Sequence, residues 1–168
     1  DATGFRFTQA SAYYTTRSGG KHRDWVKGVY AVRTDSQMIL AWASAHHVVH
    51  DTRFLAPPKQ RIARYGRQKN GKRDWLLLAG AGFDSPTLTD RDLAPPIRRG
   101  GKLVAPDRKA RAELVSQARL DGLFGQRWKC ETVHSVMKRL FGDVIRSRSW
   151  RLQRREPMLK ALVYNLHR

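Results

Sequence analysis

Phe124, Arg127, Glu131 and Lys138 are spaced by three, four and seven positions. At about 100° per residue of α-helix, they fall within an arc of roughly 60°. The stretch 124–138 would therefore present one carboxylate between two fixed cations on a single helix face. Val133, Val136, Met137 and Leu140 fall on the other side, where a helix meets a core. Taken alone, Arg127 and Glu131 make an ordinary solvated i, i+4 ion pair. Other reactive side chains offer less. His46, His47 and His50 stand near Asp51 and include an i, i+4 pair that could ligate Zn²⁺ on a helix, but the segment reads as a loop with solvated histidines. His134 and Ser135 adjoin Glu131 without the arrangement of a nucleophile, base and oxyanion hole. Gly19-Gly20-Lys21 lacks P-loop spacing. Trp128 and Trp150 stand beside basic residues and could stack on a base, though core packing is the commoner use of such rings.

Charge narrows the class of partner. Lys and Arg number 33 against 14 Asp and Glu, a formal charge of +19. A charge that large repels itself, so a polyanionic partner is expected, nucleic acid before an acidic membrane. The Lys- and Arg-rich stretch 59–73 has no periodic apolar face and reads as a solvated loop able to touch phosphates. At 168 residues and 40% hydrophobic content, the chain is expected to be one domain, 1–168, with a sizeable core. Cys130 is the only cysteine, which excludes a disulfide framework and a Cys-rich zinc site. No apolar run is long enough to span a membrane and no signal peptide is visible, so no membrane partner and a cytoplasmic location are expected. The chain opens without Met, inside what reads as a strand, and is taken as truncated at its N-terminus.

The elements that must position the 124–138 face follow from local pattern. Asp1–Phe7 reads as the tail of a strand and 8–24 as a loop. Trp25–Val32 and Met38–Ala45 are apolar, β-prone runs joined by a turn composition, which predicts an antiparallel hairpin. A loop and a short helix closed by Pro57-Pro58 follow. Trp75–Ala81 reads as a strand buried on both faces. Ser85 is expected to cap a short helix ending before Pro95-Pro96, and Lys102–Val104 to form a last strand. Asp107–Leu120 has helical composition. A terminal helix, Glu156–Leu166, places Leu159, Leu162, Val163 and Leu166 on one face. This order predicts an α/β domain with a mixed sheet flanked by helices.

The spacing Phe124-x2-Arg127-x3-Glu131-x6-Lys138 resembles the Y-(2)-R-(3)-E-(6)-K signature of bacterial insertion-sequence DDE transposases, with Phe in place of Tyr. Asp1-Ala2-Thr3-Gly4 is similar to the strand end that carries that family's first catalytic Asp. His50-Asp51 matches a common His-Asp step, and LLLAGAGFDS at 76–85 resembles the second Asp motif. The resemblance implies an α/β, RNase H-like mixed sheet flanked by helices. It implies DNA transposition by cleavage and strand transfer, with Asp1 and Glu131 as catalytic metal ligands for Mg²⁺ or Mn²⁺. Arg127 and Lys138, with Lys129 and Arg139 beside them, are the implied DNA contacts. The implied partner is double-stranded DNA, at transposon ends and target, bound by a protein that could act as a homodimer at the bacterial nucleoid. Hard cations take oxygen ligands, and two of them can clamp the attacking and leaving oxygens of a phosphodiester.

One position departs from the pattern. Gly80 stands where the family has its second Asp. Asp84 fits the trailing, non-catalytic Asp and should point elsewhere, and Asp74 lies at the wrong end of the strand. Weak metal binding and impaired cleavage are therefore expected. The alternative is a non-catalytic DNA-binding relic or domesticated protein. A general RNA-binding protein fits less well, because aromatic content is 10% and no RNP or KH motif is present.

Overall fold

The computed structural model describes residues 1–7, 25–46, 49–63, 74–98, 100 and 105–168. At its centre a mixed sheet runs in the order β3-β2-β1-β6. The predicted hairpin is β2 (Trp25–Val32) and β3 (Ile39–His46), paired antiparallel with Tyr30 opposite Trp42. β1 (Ala2–Phe7) lies antiparallel to β2, Ala2 opposite Val29. On its other side β1 pairs in parallel with β6 (Val144–Ile145) through Arg6 and Phe7. No strand was expected at β6. Two β-branched positions after Gly142, whose φ is 76°, are too short a pattern to read from sequence.

Alternation along the strands sends side chains to two cores. Phe5, Val26 and Tyr30 pack with Val133 and Met137 of α3 (Trp128–Phe141) and with Ala161 and Tyr164 of α4 (Trp150–His167). On the opposite face Val29 packs with Phe54, Leu55, Ala79 and Phe83. That face also carries α1 (Ala56–Ile62), while α2 (Pro106–Leu120) covers Leu93 through Val115 and Ala118. The result is an α/β fold in which a four-stranded mixed sheet is flanked by four helices among the described residues, compatible with an RNase H-like domain.

Several elements differ from the sequence pattern. Pro57 and Pro58 open α1 rather than closing a helix, since a proline without an N–H costs nothing in a first turn. The apolar run at 75–81 shrinks to β4 (Leu77–Leu78), which among the described residues pairs in parallel with β5 (Asp92–Leu93) in a separate ladder. Leu76 is exposed, and a 3₁₀ turn at Ala81–Phe83 ends the extended run. Ser85 caps no helix. Its hydroxyl instead accepts from the Thr87 N–H at 3.3 Å in a local turn. The start of the 124–138 stretch, Phe124–Arg127, is a 3₁₀ turn leading into α3, and Leu140 is exposed rather than buried. The expected strand at 102–104, the loop at 8–24 and most of the basic stretch after Ala63 lie outside the described residues.

The terminal helix starts six residues earlier than expected and is rotated by half a turn. Leu159, Leu162, Val163 and Leu166 are 46–80% exposed, while Pro157, Lys160, Ala161 and Tyr164 face the sheet. Polar anchors set this rotation. Asn165 exchanges hydrogen bonds with Ile39, at 2.8 and 2.9 Å, and Tyr30 Oη donates to Pro157 O at 3.1 Å. Lys160 Nζ donates to Gly142 O and Val144 O at 2.8 and 2.7 Å, holding β6 in place.

Candidate active site

Asp1 heads β1, and its backbone is held by β2, with Tyr30 N–H donating to Asp1 O at 2.9 Å. Its carboxylate accepts from Arg127 Nη1 at 2.6 Å and from the Ala2 N–H at 2.9 Å. The same guanidinium reaches Glu131 Oε1 through Nη2 at 2.5 Å. Arg127 ends the 3₁₀ turn and Glu131 lies in the first turn of α3, where the helix dipole favours a carboxylate. Two acidic groups far apart in sequence thus converge on one planar fork. Asp1 and Arg127 are mostly shielded, at 20% and 28% side-chain exposure, whereas Glu131 is 55% exposed.

The other predicted contacts do not join this cluster. Lys138 is two turns along α3, half-buried, with Nζ 5.6 Å from the Phe5 ring centroid. Burial lowers its pKa from the ordinary lysine value. Lys129 and Arg139 sit on α3 about 160° and 80° around the axis from Glu131, so they do not share its face.

Gly80 does lie beside the first carboxylate. A Cβ built there would stand 3.8 Å from Asp1 Oδ1, in ordinary contact, with no nearer neighbour. Asp84 points away into a buried ion cluster. It pairs with Arg108 and with Arg111 Nη1 at 2.7 Å, and accepts from the Ile97 N–H at 2.9 Å. The sequence reading missed this role for Arg108 and Arg111; their i, i+3 spacing on α2 was the available sign. Asp74 is exposed and, with Asp1 and Arg127, is among the residues lining a mainly apolar cavity of about 420 Å³.

The histidines serve separate tasks. His46 is buried rather than solvated, with Nε2 3.1 Å from Trp150 O and its ring stacked on Trp150. His50 caps the 3₁₀ turn at Asp51–Phe54, and Asp51 pairs with Lys27. His47 lies outside the described residues. His134 packs against Tyr30 with Nε2 3.5 Å from Cys130 Sγ, and burial pushes its pKa down to about 3. His134, held neutral by burial near neutral pH, and an exposed Ser135 supply no activated nucleophile. Among the described residues, no three or more His, Cys, Asp or Glu side chains are grouped so that they could hold one ion, and no helix is long and apolar enough to cross a membrane.

A family model described as the transposase DDE domain matches residues 1–166. Comparison with curated proteins and with solved structures gives no match.

Proposed function

The chain belongs to the family of the transposase DDE domain, and on that premise we propose that Asp1 and Glu131 are the acidic pair of a DNA-cleaving site whose third position is Gly80. DNA transposition is the activity of this family, which generally uses divalent metal ions. The observation that carries the reading is the convergence of Asp1 and Glu131 on Arg127, 126 positions from Asp1. Two carboxylates offering only oxygen donors suit Mg²⁺ or Mn²⁺, and Asp1 and Glu131 would hold one such ion. When bound, the ion polarises a phosphoryl oxygen and lowers the pKa of its water.

The chain's own groups orient the rest. Arg127 holds both carboxylates, one on each terminal nitrogen, and would have to release one of them to take a phosphate oxygen. Lys138, Lys129 and Arg139 add positive charge along α3 that draws duplex DNA toward the site from more than one side. Gly80 supplies no ligand. Without a third carboxylate the site lacks about one unit of the negative charge that would offset a second dication, so metal binding is weak and cleavage impaired. Transposon ends and target DNA are the substrates, and a homodimer on DNA is the proposed acting form.

The test uses DNA carrying the element's own ends and Mn²⁺ or Mg²⁺. Gly80→Asp places its Cβ in ordinary contact with Asp1 and is expected to nick at least about 100-fold faster than the parent, a difference of about 2.7 kcal/mol in barrier. Gly80→Asp with Glu131→Gln should lose that gain. Nicking by the parent chain that Glu131→Gln abolishes would overturn the impairment. No gain from Gly80→Asp, with DNA binding intact, would favour the second reading that Gly80 raises, a non-catalytic DNA-binding protein.

A further inference from the structure

A groove of about 600 Å³ follows the β3 edge of the central sheet, between the 51–62 region on one face and the first turns of α4 on the other. Arginines stand on both walls, Arg53 and Arg61 on the first and Arg151, Arg154 and Arg155 on the second, and no acidic side chain lines the groove. All five are exposed, and among the described residues none is in an ion pair. Two of them have a structural task. Arg61 donates to Trp42 O at 2.8 Å and Arg154 to Ser44 O at 3.3 Å, which covers outward-facing acceptors of an edge strand. The side chains of Arg53, Arg151 and Arg155 make no hydrogen bond among the described residues. Arg151 and Arg155 are moreover a like-charge i, i+4 pair, which works against the helix that carries them. Five fixed cations in one concavity repel each other unless an anion joins them.

The rest of the lining decides which part of a polyanion fits. A guanidinium fork matches phosphate oxygens bidentately, and cations on two walls suit a run of phosphates better than one small ion. Little else in the groove could read a base. Ala43, Phe54, Pro57 and Met158 bring no polar side-chain group that hydrogen-bonds strongly, and Ser44 Oγ already donates to Arg154 O at 2.7 Å. Neither indole is open for stacking: Trp42 lies beneath the Arg61 guanidinium, and Trp150 is engaged by His46 and its other neighbours. Sites for single strands join a basic groove to aromatic platforms, and this groove has the charge without the platform. Contacts to phosphates alone fix position and carry no sequence. Trp42 lies opposite Tyr30, and Tyr30 opposite Asp1, so the groove begins two strand spacings, or about 10 Å, from the strand that carries Asp1. One helical turn of DNA, about 34 Å, is longer than that separation.

We propose that the groove on the β3 edge holds the phosphate backbone of duplex DNA without regard to sequence, through Arg53 on one wall and Arg151 and Arg155 on the other. The choice of DNA rests on the reading above; the groove's charge does not. The full 168-residue chain is titrated without metal, over a range of salt, against two labelled DNA duplexes of unrelated sequence, one of their single strands, and a duplex RNA of the same length. Arg151→Ala with Arg155→Ala should reduce the salt slope of duplex DNA binding by about 1.8, two phosphate contacts at about 0.9 each. Adding Arg53→Ala should remove about another 0.9 from the opposite wall. The loss should be the same for both DNA sequences. Arg151→Lys with Arg155→Lys keeps the charges and should keep the slope, which separates lost phosphate contacts from a disturbed helix. A double alanine variant with the parent's slope, a loss confined to one of the two sequences, or a lysine pair whose slope falls as far as the alanine pair's would each overturn the proposal. So would tighter binding of the single strand or of the duplex RNA. A chain that never nicks DNA yet shows this pattern loses the catalytic reading alone. A chain that nicks DNA but binds duplexes independently of Arg151 and Arg155 loses the groove alone.

Discussion

Arg127 holds two carboxylates in unequal surroundings. The bond to Asp1 is shielded from solvent on both sides, while Glu131 is more than half exposed. Screening by water should leave the first pair with a coupling of about 1–2 kcal/mol and the second below about 0.5 kcal/mol. Double-mutant cycles with Asp1→Asn, Glu131→Gln and Arg127→Ala, read by urea denaturation, measure both; a larger coupling to Glu131 would contradict this ranking. One turn further along α3, His134 is neutral when folded because burial holds its pKa near 3, well below the ordinary 6.5. The unfolded chain therefore binds the extra proton between those values and the folded chain does not. Stability from this group is complete above about pH 6.5 and falls with decreasing pH, by up to about 1.4 kcal/mol per unit. His134→Gln should flatten the stability profile between about pH 6 and 4 relative to the parent. Identical profiles would show that the carboxylates alone set the acid sensitivity, Glu156 among them, whose pKa is lowered by N–H groups of Ser147 and Arg146 against the effect of burial.

Between elements, one close fit is where the 3₁₀ turn at 81–83 meets the one at 51–54. A Cβ on Gly82 would run into the Asp51 carboxylate, which is already held by Lys27. Gly82→Ala must displace that carboxylate and is expected to cost about 1–3 kcal/mol, as overpacking does; a thermal melt unchanged within about 0.5 kcal/mol would show that Asp51 swings aside freely. Contacts of this kind mark the limit of what local pattern tells. The hairpin of β2 and β3 was legible because two β-prone runs flank a turn, and α2 because its composition is helical over its whole length. β4 was not, because an apolar run is the same in sequence whether it enters the central sheet or pairs briefly with a distant strand. The rotation of α4 was misread for a related reason. Leu159, Leu162 and Leu166 form the more obvious stripe, but Asn165, Lys160 and the Tyr30 hydroxyl decide which side meets the sheet. At the site, the 124–138 spacing pointed to Arg127 and Glu131, yet that Arg127 would be shared with Asp1 depends on where β1 ends relative to α3. Lys129 and Arg139 stand off the Glu131 face because of the helix period, so nearness in sequence does not bring them into the Asp1–Arg127–Glu131 cluster.

Across the whole molecule, a charge of +19 works against compactness. Cations are spread over the α1 edge, the β3 groove and α3, and the acidic groups that could offset them are often already committed. Asp84 serves Arg108 and Arg111, Asp92 serves Lys59, and Asp1 with Glu131 serves Arg127. Two opposing salt effects follow. Screening weakens attractive pairs, but the pairs of Asp84 and Asp92 are buried and feel it little. Screening also weakens the repulsion among exposed cations, which is long-ranged and has many more members. The second effect should prevail, so raising NaCl from about 20 mM to about 300 mM, which shortens the screening length from roughly 20 Å to roughly 6 Å, is expected to raise the melting temperature of the DNA-free chain by several degrees. Duplex DNA at low salt should raise it as well, and the two increments should not add, because each relieves the same repulsion. The Arg151→Ala, Arg155→Ala variant makes the argument local. If the β3 groove is a centre of the strain, this variant melts higher than the parent at low salt and equal to it at high salt. A melting temperature that falls with added salt in the parent would mean that exposed ion pairs such as Arg6–Asp143 outweigh the repulsion.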